Sequence, residues 1–428
     1  MTDLEEAISH LSPVWTHLTP IIAERGEGAL IYDAGGKAYL DFTCGIAVTN
    51  TGHAHPAVVE AVRKQAGLLL HGQANIVLHR PMLELVNELR GLFPPELDGY
   101  FFSNSGAEAV EGAMKLARQA TGRPNIIVFQ GSFHGRTVGT MSLTTSKTVY
   151  RAGYQPLMPG VFVAPYPYAY RYGWEAERTS QWCLDELEYL LLTQTAPGET
   201  AAILVEPVLG EGGYVVPPRS FIQGLAEVCK QHSILLIMDE IQTGFGRTGR
   251  WFGFEHFGVT PDIVTIAKGL ASGLPLSGVV SRLELMRKWQ PGSHGGTFGG
   301  NAVAAAAAVA TIRAIRDEGM LANAQQRGEQ LVAGMRHLQE QYPVIGDVRG
   351  LGLMIGTEIR TEYGKPDKAT TKRLAHACLE EDLLLLTCGP WDNTIRWIPP
   401  LVVTAEQINQ ALRIFDAALR EDASLGAK

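Results

Sequence analysis

"ILLIMDEIQTGFGRTG" occupies residues 234–249, and "DIVTIAKGL" comes next at 262–270. Each opens on a run rich in isoleucine, leucine, valine or methionine, and each run ends on charge. Asp239 and Glu240 close the first, and Lys268 closes the second. Short apolar runs bounded by turn residues read as strands. Strands apolar at nearly every position are buried on both faces, the mark of a mostly parallel sheet covered by helices. Lys268 lies 29 residues after Asp239, which suits adjacent parallel strands joined by a crossover. Ligands gather at the carboxyl ends of the strands in such sheets. Each charged residue also has an ordinary reading: a surface lysine at a strand end, and a salt-bridged carboxylate.

"NIIVFQG" (125–131), "AAILVEP" (201–207) and "LSGVVS" (276–281) are further strand candidates. Between them lie amphipathic stretches, "GAEAVEGAMKLARQAT" (106–121) and "FIQGLAEVCKQHS" (221–233). In the first, Ala109, Ala113, Met114 and Ala117 recur at helical spacing. The ends differ. "GALIYDAGGKAYLDF" holds two alternating runs around a turn, a hairpin signal. "GLGLMIGTEI" and "TIRWIPPL" are short strands among long helices. The expected architecture is an α/β sheet domain over residues 51–309, flanked by a smaller α+β domain of residues 310–428 that an N-terminal segment, residues 1–50, joins.

The chain has 428 residues with a formal net charge of −8 and a pI near 5.9. That balance argues against a nucleic-acid or anionic-membrane binder. The five cysteines are odd in number and form no CxxC pair, which fits a reducing cytoplasmic setting and no structural metal site. "MTDLEEAISH" lacks a basic start and an apolar core, so no signal peptide is expected. The most apolar long stretch, "NAVAAAAAVA" from Asn301, falls short of the ~20 residues a membrane span needs. It reads as a tightly packed helix.

Four features suit one ligand. Ser105, Gly106 and Ala107 open a helix, whose free N–H groups and positive dipole end favour a phosphate or simply a cap. "GSFHGRT" (131–137) comes after a strand, and its Phe133 and His134 could meet a planar ring or pack in an ordinary loop. Arg136 could bind a carboxylate or face solvent. Asp239 at a buried strand end needs a partner. A protonated pyridine nitrogen is one, and Gln242 could serve the same ring's phenolic oxygen. Lys268, losing solvation, would become nucleophilic. A phosphate cradle, a stacking aromatic, a carboxylate and a lysine together describe a site for pyridoxal 5'-phosphate, PLP.

The ordered set "SNSGAEAVEGAMKLAR", "FHGRT", "VEPVLGEGGY", "MDEIQTGFGRTG", "IAKGL" and "GGTFGGN" resembles the class III PLP-dependent aminotransferases of fold type I. The resemblance implies a seven-stranded sheet. It makes Lys268 the residue that forms the Schiff base and Asp239 the partner of the pyridine nitrogen. It places Gln242 on the phenolic oxygen, Phe133 on the ring with His134 nearby, and Glu206 close to the ring. Ser105, Gly106 and Ala107 would hold the phosphate, and Thr297 the phosphate of a partner subunit, implying a homodimer or higher homo-oligomer. Within the class, "CGIAVTNTGHAHP", Glu211 and Arg396 are most similar to 4-aminobutyrate aminotransferases. Ile46 and Arg136 would line the substrate site, and Glu211 would pair with Arg396 when no α-carboxylate is bound. The substrates implied are an ω-amino donor and an oxo-acid acceptor, 2-oxoglutarate. Acetylornithine, ornithine, broad ω-amino-acid and amine transaminases share the cofactor motifs, as do amino-acid racemases and epimerases. A catalytically inactive binding protein on the same fold is a further alternative. "TCGPWDNTIRW" departs from the expected pattern around Arg396.

Overall fold

The computed structural model describes residues 3–426; Met1 and Thr2 of the acidic N-terminal stretch, with Ala427 and Lys428, lie outside the described residues. The expected hairpin is present. Strands β1 (Ala23–Glu27), β2 (Leu30–Asp33) and β3 (Ala38–Asp41) form an antiparallel meander, with β2 and β3 turning through Gly36 at φ +81°. Asp33 shapes that turn, since its Oδ1 accepts from the N–H groups of Gly35 and Lys37.

Seven strands form the central sheet: β4 (Gly99–Ser103), β5 (Asn125–Phe129), β6 (Val161–Ala164), β7 (Thr200–Val205), β8 (Leu235–Asp239), β9 (Ile263–Ile266) and β10 (Ser277–Ser281). Their spatial order is β4-β10-β9-β8-β7-β5-β6. The run from β6 to β9 is parallel, and β10 lies antiparallel to both β9 and β4. Alternate residues of each strand enter different cores. Ile126, Val128, Ala202, Leu204 and Ile237 pack with Val110, Ala113 and Ala117 of the helix Gly106–Thr121. Ile127, Phe129, Ile203, Val205 and Met238 pack with Phe221 and Leu225 of the helix Arg219–His232. Helices therefore cover both faces, and that is why these strands read as unbroken apolar runs.

The C-terminal region adds β11 (Ile345–Leu351), β12 (Met354–Ile359), β13 (Leu383–Leu384), β14 (Leu386–Cys388) and β15 (Thr394–Trp397). Four of them pair antiparallel in the order β11-β12-β15-β14, whereas β13 lies parallel to β3. Leu383 and Leu384 thus extend the N-terminal sheet. The helix Ala302–Asp317 buries Ala302, Ala305, Ala308, Ile312 and Ile315. The boundary expected after residue 309 falls inside this helix, because its apolar spacing runs on through Ile315. Gly319, at φ +67°, starts the next element. No helix among the described residues is long and apolar enough to cross a membrane.

Arg247 ties the regions together. Fully buried, it donates to the carbonyls of Leu353 (3.0 Å) and Pro399 (2.6 Å) and to Asn50 Oδ1 (2.9 Å). No acidic side chain pairs with it among the described residues. Replacing it leaves three buried acceptors without their donor, a strongly destabilising loss. Arg247→Met is expected to cost about 3 kcal/mol. It should lower the thermal unfolding midpoint at a fixed scan rate, and an unchanged midpoint would refute the role.

Candidate active site

The parallel register sets Asp239 opposite Thr265 and brings the ends of β8 and β9 to one edge. Asp239 is buried. Its Oδ1 accepts from Thr265 Oγ1 (3.0 Å) and from the Ile241 N–H (3.2 Å), and its Oδ2 lies 2.7 Å from His134 Nδ1. His134 is 2% exposed, and its other ring nitrogen, Nε2, has no hydrogen-bond partner. Thr265 is a site residue that sequence reasoning missed, although a polar residue inside "IVTI" is a visible signal.

Lys268 lies two residues beyond β9 and is partly buried. Its backbone sits at φ +47°, in the left-handed region that non-glycine residues rarely enter. Such strain persists where surrounding structure enforces it, commonly at functional sites. Burial drives the amine's pKa below its ordinary value, against the pull of Asp239 and Glu206. Among the described residues Lys268 Nζ has no hydrogen bond or ion pair. A desolvated amine without a partner is a nucleophile waiting for an electrophilic carbon.

Glu206 closes the site from β7. Its Oε1 accepts from the Phe133 N–H and its Oε2 from the Gly210 N–H, each at 2.8 Å. Burial pushes its carboxyl up to about 7, with the charge of His134 opposing. One side chain thereby fixes both the loop carrying Phe133 and His134 and the loop leading to Glu211. A Cβ on Gly210 would stand 2.4 Å from Gln242 Oε1 and 3.1 Å from Glu206 Oε2, so the Gln242 amide and the Glu206 carboxyl both lie beside this loop. Phe133 meets Tyr150 edge-on, with ring centroids 5.3 Å apart.

Ser105 caps the helix Gly106–Thr121 in a capping box with Glu108. The next N–H groups, of Gly106 and Ala107, are ones a helix leaves without internal partners. A Cβ on Gly106 would lie 3.0 Å from Ile241, two residues past Asp239. A Cβ on Gly135 would touch Ala107 at 2.9 Å. The helix start, the Phe133–Arg136 loop and the end of β8 therefore converge.

Glu211 and Arg396 form an ion pair, Oε2 to Nη1, at 3.1 Å. Arg396 enters from β15 and also donates to the Thr387 carbonyl at 2.8 Å. Burial lowers and Glu211 raises the arginine's pKa, and the net direction is upward. Glu211 Oε1 accepts from Tyr150 (3.0 Å) and Lys147 (3.1 Å). Sequence reasoning missed both Lys147 and Tyr150, because they lie in an irregular segment without periodicity. Arg136 is exposed and lies 6.0 Å from the Tyr150 ring centroid. Ile46 is 45% exposed at φ +66°, and Thr297 is exposed in the segment before Asn301. No hydrogen bond connects these last two to the cluster. No group of three or more His, Cys, Asp or Glu side chains arranged to hold a metal occurs among the described residues.

An amine without a partner, close to the Asp239 carboxylate that His134 supports and on the same edge as a helix start with open N–H groups, fits a phosphorylated pyridine aldehyde. Comparison with known proteins agrees with that chemistry. A probable 4-aminobutyrate aminotransferase of Bacillus subtilis (strain 168) is 40% identical over 93% of this chain and 93% of its own length. An alanine/serine racemase of Pyrococcus horikoshii is 39% identical over 94% of this chain and 86% of its own length. The solved structure of an amine transaminase from an uncultivated Pseudomonas species, in a PLP-bound form, superposes with a TM-score of 0.90 at 30% identity, covering 96% of this chain and 98% of that one. The sequence model of the family Aminotransferase class-III matches residues 11–419, so this chain belongs to the class III aminotransferases.

Proposed function

We propose that this aminotransferase uses PLP at Lys268 to move the amino group of an ω-amino acid, 4-aminobutyrate first among them, to 2-oxoglutarate. The observation that carries the substrate reading is the buried Glu211–Arg396 pair beside the Lys268 edge. An ω-amino acid offers one carboxylate, distant from its amine, which suits Arg136. Glutamate adds a carboxylate next to the amine, which suits bidentate binding by Arg396. With the ω-amino acid bound, Arg396 would be an unpaired charge, and Glu211 offsets that cost.

Bound here, PLP supplies an aldehyde that captures amines and a ring that accepts an electron pair. Lys268 would hold the aldehyde, and its Nζ, when free, would carry the proton of the amine-bearing carbon. Asp239, oriented by His134 and Thr265, would keep the ring nitrogen protonated. Phe133 would stack on the ring and Gln242 would donate to its phenolic oxygen, while Glu206 keeps the Phe133 and Gly210 loops in register. Ser105, Gly106 and Ala107 would receive the phosphate, and Ile46 would border the substrate.

A second copy of the chain completes the site in this reading. Leu68, Leu70, Ile76, Val77, Leu78 and Phe298 are all exposed. They belong together, since Asn301 Nδ2 donates to the Leu70 carbonyl and His71 lies 5.2 Å from the Phe298 ring. An apolar surface of this kind is typical of an interface. Thr297, next to Phe298, would then reach the partner's phosphate. All five cysteines are free and buried, which suits a reducing cytoplasm.

Lys268→Ala should abolish turnover, and borohydride-treated protein should carry the phosphopyridoxyl mass on Lys268 only in the unsubstituted chain. Normal turnover in the variant would refute the assignment. With 2-oxoglutarate as acceptor, 4-aminobutyrate should outperform ornithine, acetylornithine and a simple aryl amine. Racemisation of alanine or serine without any oxo acid would instead favour the chemistry named for the Pyrococcus relative. Phe298→Asp should shift light-scattering mass toward the monomer and weaken PLP retention. A fully active monomer would remove the need for Thr297.

A further inference from the structure

Glu211 and Arg396 belong to a longer row of charges. Lys147 Nζ touches Glu211 Oε1 and also Asp392 Oδ1. The other oxygen of Asp392 accepts from Lys368 at 2.7 Å. The order is Arg396, Glu211, Lys147, Asp392, Lys368, alternating in sign throughout. Side-chain exposure rises along it, from 8% at Arg396 through 13%, 15% and 26% to 54% at Lys368. The row runs from the buried pocket to solvent. Asp392 sits at φ +52° in the "GPWDN" turn that departs from the expected sequence, in the left-handed region that aspartate tolerates better than most residues.

Two further observations define what Lys147 does. Burial acts to lower its pKa, yet Glu211 and Asp392 carry it above the ordinary value. The two carboxylates in contact with it therefore favour the charged form of Lys147. Tyr150, the other donor to Glu211 Oε1, stays a neutral phenol, its pKa pushed up to about 12 by burial. Glu211 thus has one cation on each oxygen, Arg396 on Oε2 and Lys147 on Oε1.

We propose that Lys147 and Asp392 are positioning residues that set the balance between the two substrate types, a proposal that rests on the substrate reading given above. An α-carboxylate can bind Arg396 only after Glu211 releases it. A carboxylate released without another partner, in a partly buried site, is costly. Lys147 is the cation that retains Glu211 during that exchange. Asp392 opposes it, because it draws Lys147 away from Glu211 and so leaves Glu211 more firmly on Arg396. Lys147 therefore favours substrates with an α-carboxylate, and Asp392 favours ω-amino acids. Neither residue touches substrate; both act through Glu211.

The two residues should shift selectivity in opposite directions. Single-turnover absorbance of the PLP-loaded enzyme gives kcat/KM for glutamate and for 4-aminobutyrate separately. Lys147→Met should lower the glutamate to 4-aminobutyrate ratio by about tenfold, the scale expected when a partly buried charge network loses one member. Asp392→Asn should raise it, and Lys147→Arg should restore most of what Lys147→Met removes. A binding readout without turnover runs in parallel. The affinity for glutarate relative to butyrate, by calorimetry, should fall in Lys147→Met and rise in Asp392→Asn. Equal losses for both donors, or ratios that move in the same direction in both variants, would overturn the proposal. If the unsubstituted enzyme converts neither donor, the substrate reading fails first and takes this inference with it.

Discussion

The register of β8 against β9 is the constraint on which the site depends. Parallel neighbours share a carboxyl edge, so a chain that pairs Asp239 with Thr265 must deliver the residues beyond both strands to one place. The Glu240 N–H donates to the Thr265 carbonyl at 3.0 Å, extending the ladder one residue past Asp239. A slip by one residue would turn Asp239 to the other face of the sheet and separate it from His134. Continuous apolar burial of both strands prevents that slip. The hydrophobic core therefore acts on chemistry directly, by holding a carboxylate and an amine at fixed positions.

Electrostatics at this edge works by removing water. Burial lowers the Lys268 amine and raises Glu206 to about 7, although opposite charges nearby act against both shifts. Desolvation of the charged form is the dominant influence on each. Farther out, around Glu211, every buried charge has an opposite neighbour. Burial thus biases Lys268 and Glu206 toward their neutral forms, whereas the outer wall holds paired ions. That division suits the amino transfer proposed above, in which Lys268 would move the proton and Arg396 would recognise a carboxylate.

Much of this is legible in the chain. The helix Gly106–Thr121 starts and stops where the small residues and Gly122 indicate, since capping and a left-handed glycine are local signals. The strands from β7 to β9 stand out because burial on both faces writes itself as apolar runs. The edge strands β4 and β6 do not stand out. They are short, and several of their residues are only half-buried, so neither alternation nor a continuous run appears. At the site, Asp239 and Lys268 are visible because they end apolar runs. Lys147, Tyr150 and Asp392 are not, because their partners lie between 24 and 245 residues away and irregular backbone carries them. The unusual "GPWDN" turn is recognisable as a departure, but its charge pairing needs the fold.

The turn at Lys268 depends on a contact from the far end of the chain. Gly269 leaves no room for a side chain, since a Cβ there would lie 2.3 Å from Asn50 Nδ2. Asn50 is itself fixed on three sides. Its amide donates to the Phe245 carbonyl (2.8 Å), its Oδ1 accepts from Arg247 (2.9 Å), and its backbone carbonyl accepts from the Leu401 N–H (2.8 Å). The N-terminal segment, the loop after β8 and the C-terminal region thus meet at one buried amide, pressed against the residue after the lysine. A left-handed Lys268 is unfavourable by about 1–3 kcal/mol in isolation. Because Asn50 fills the space beside Gly269, the turn cannot relax without disturbing contacts from all three regions. The cluster around Arg247 therefore supports the conformation that aims the amine as well as the packing of the fold.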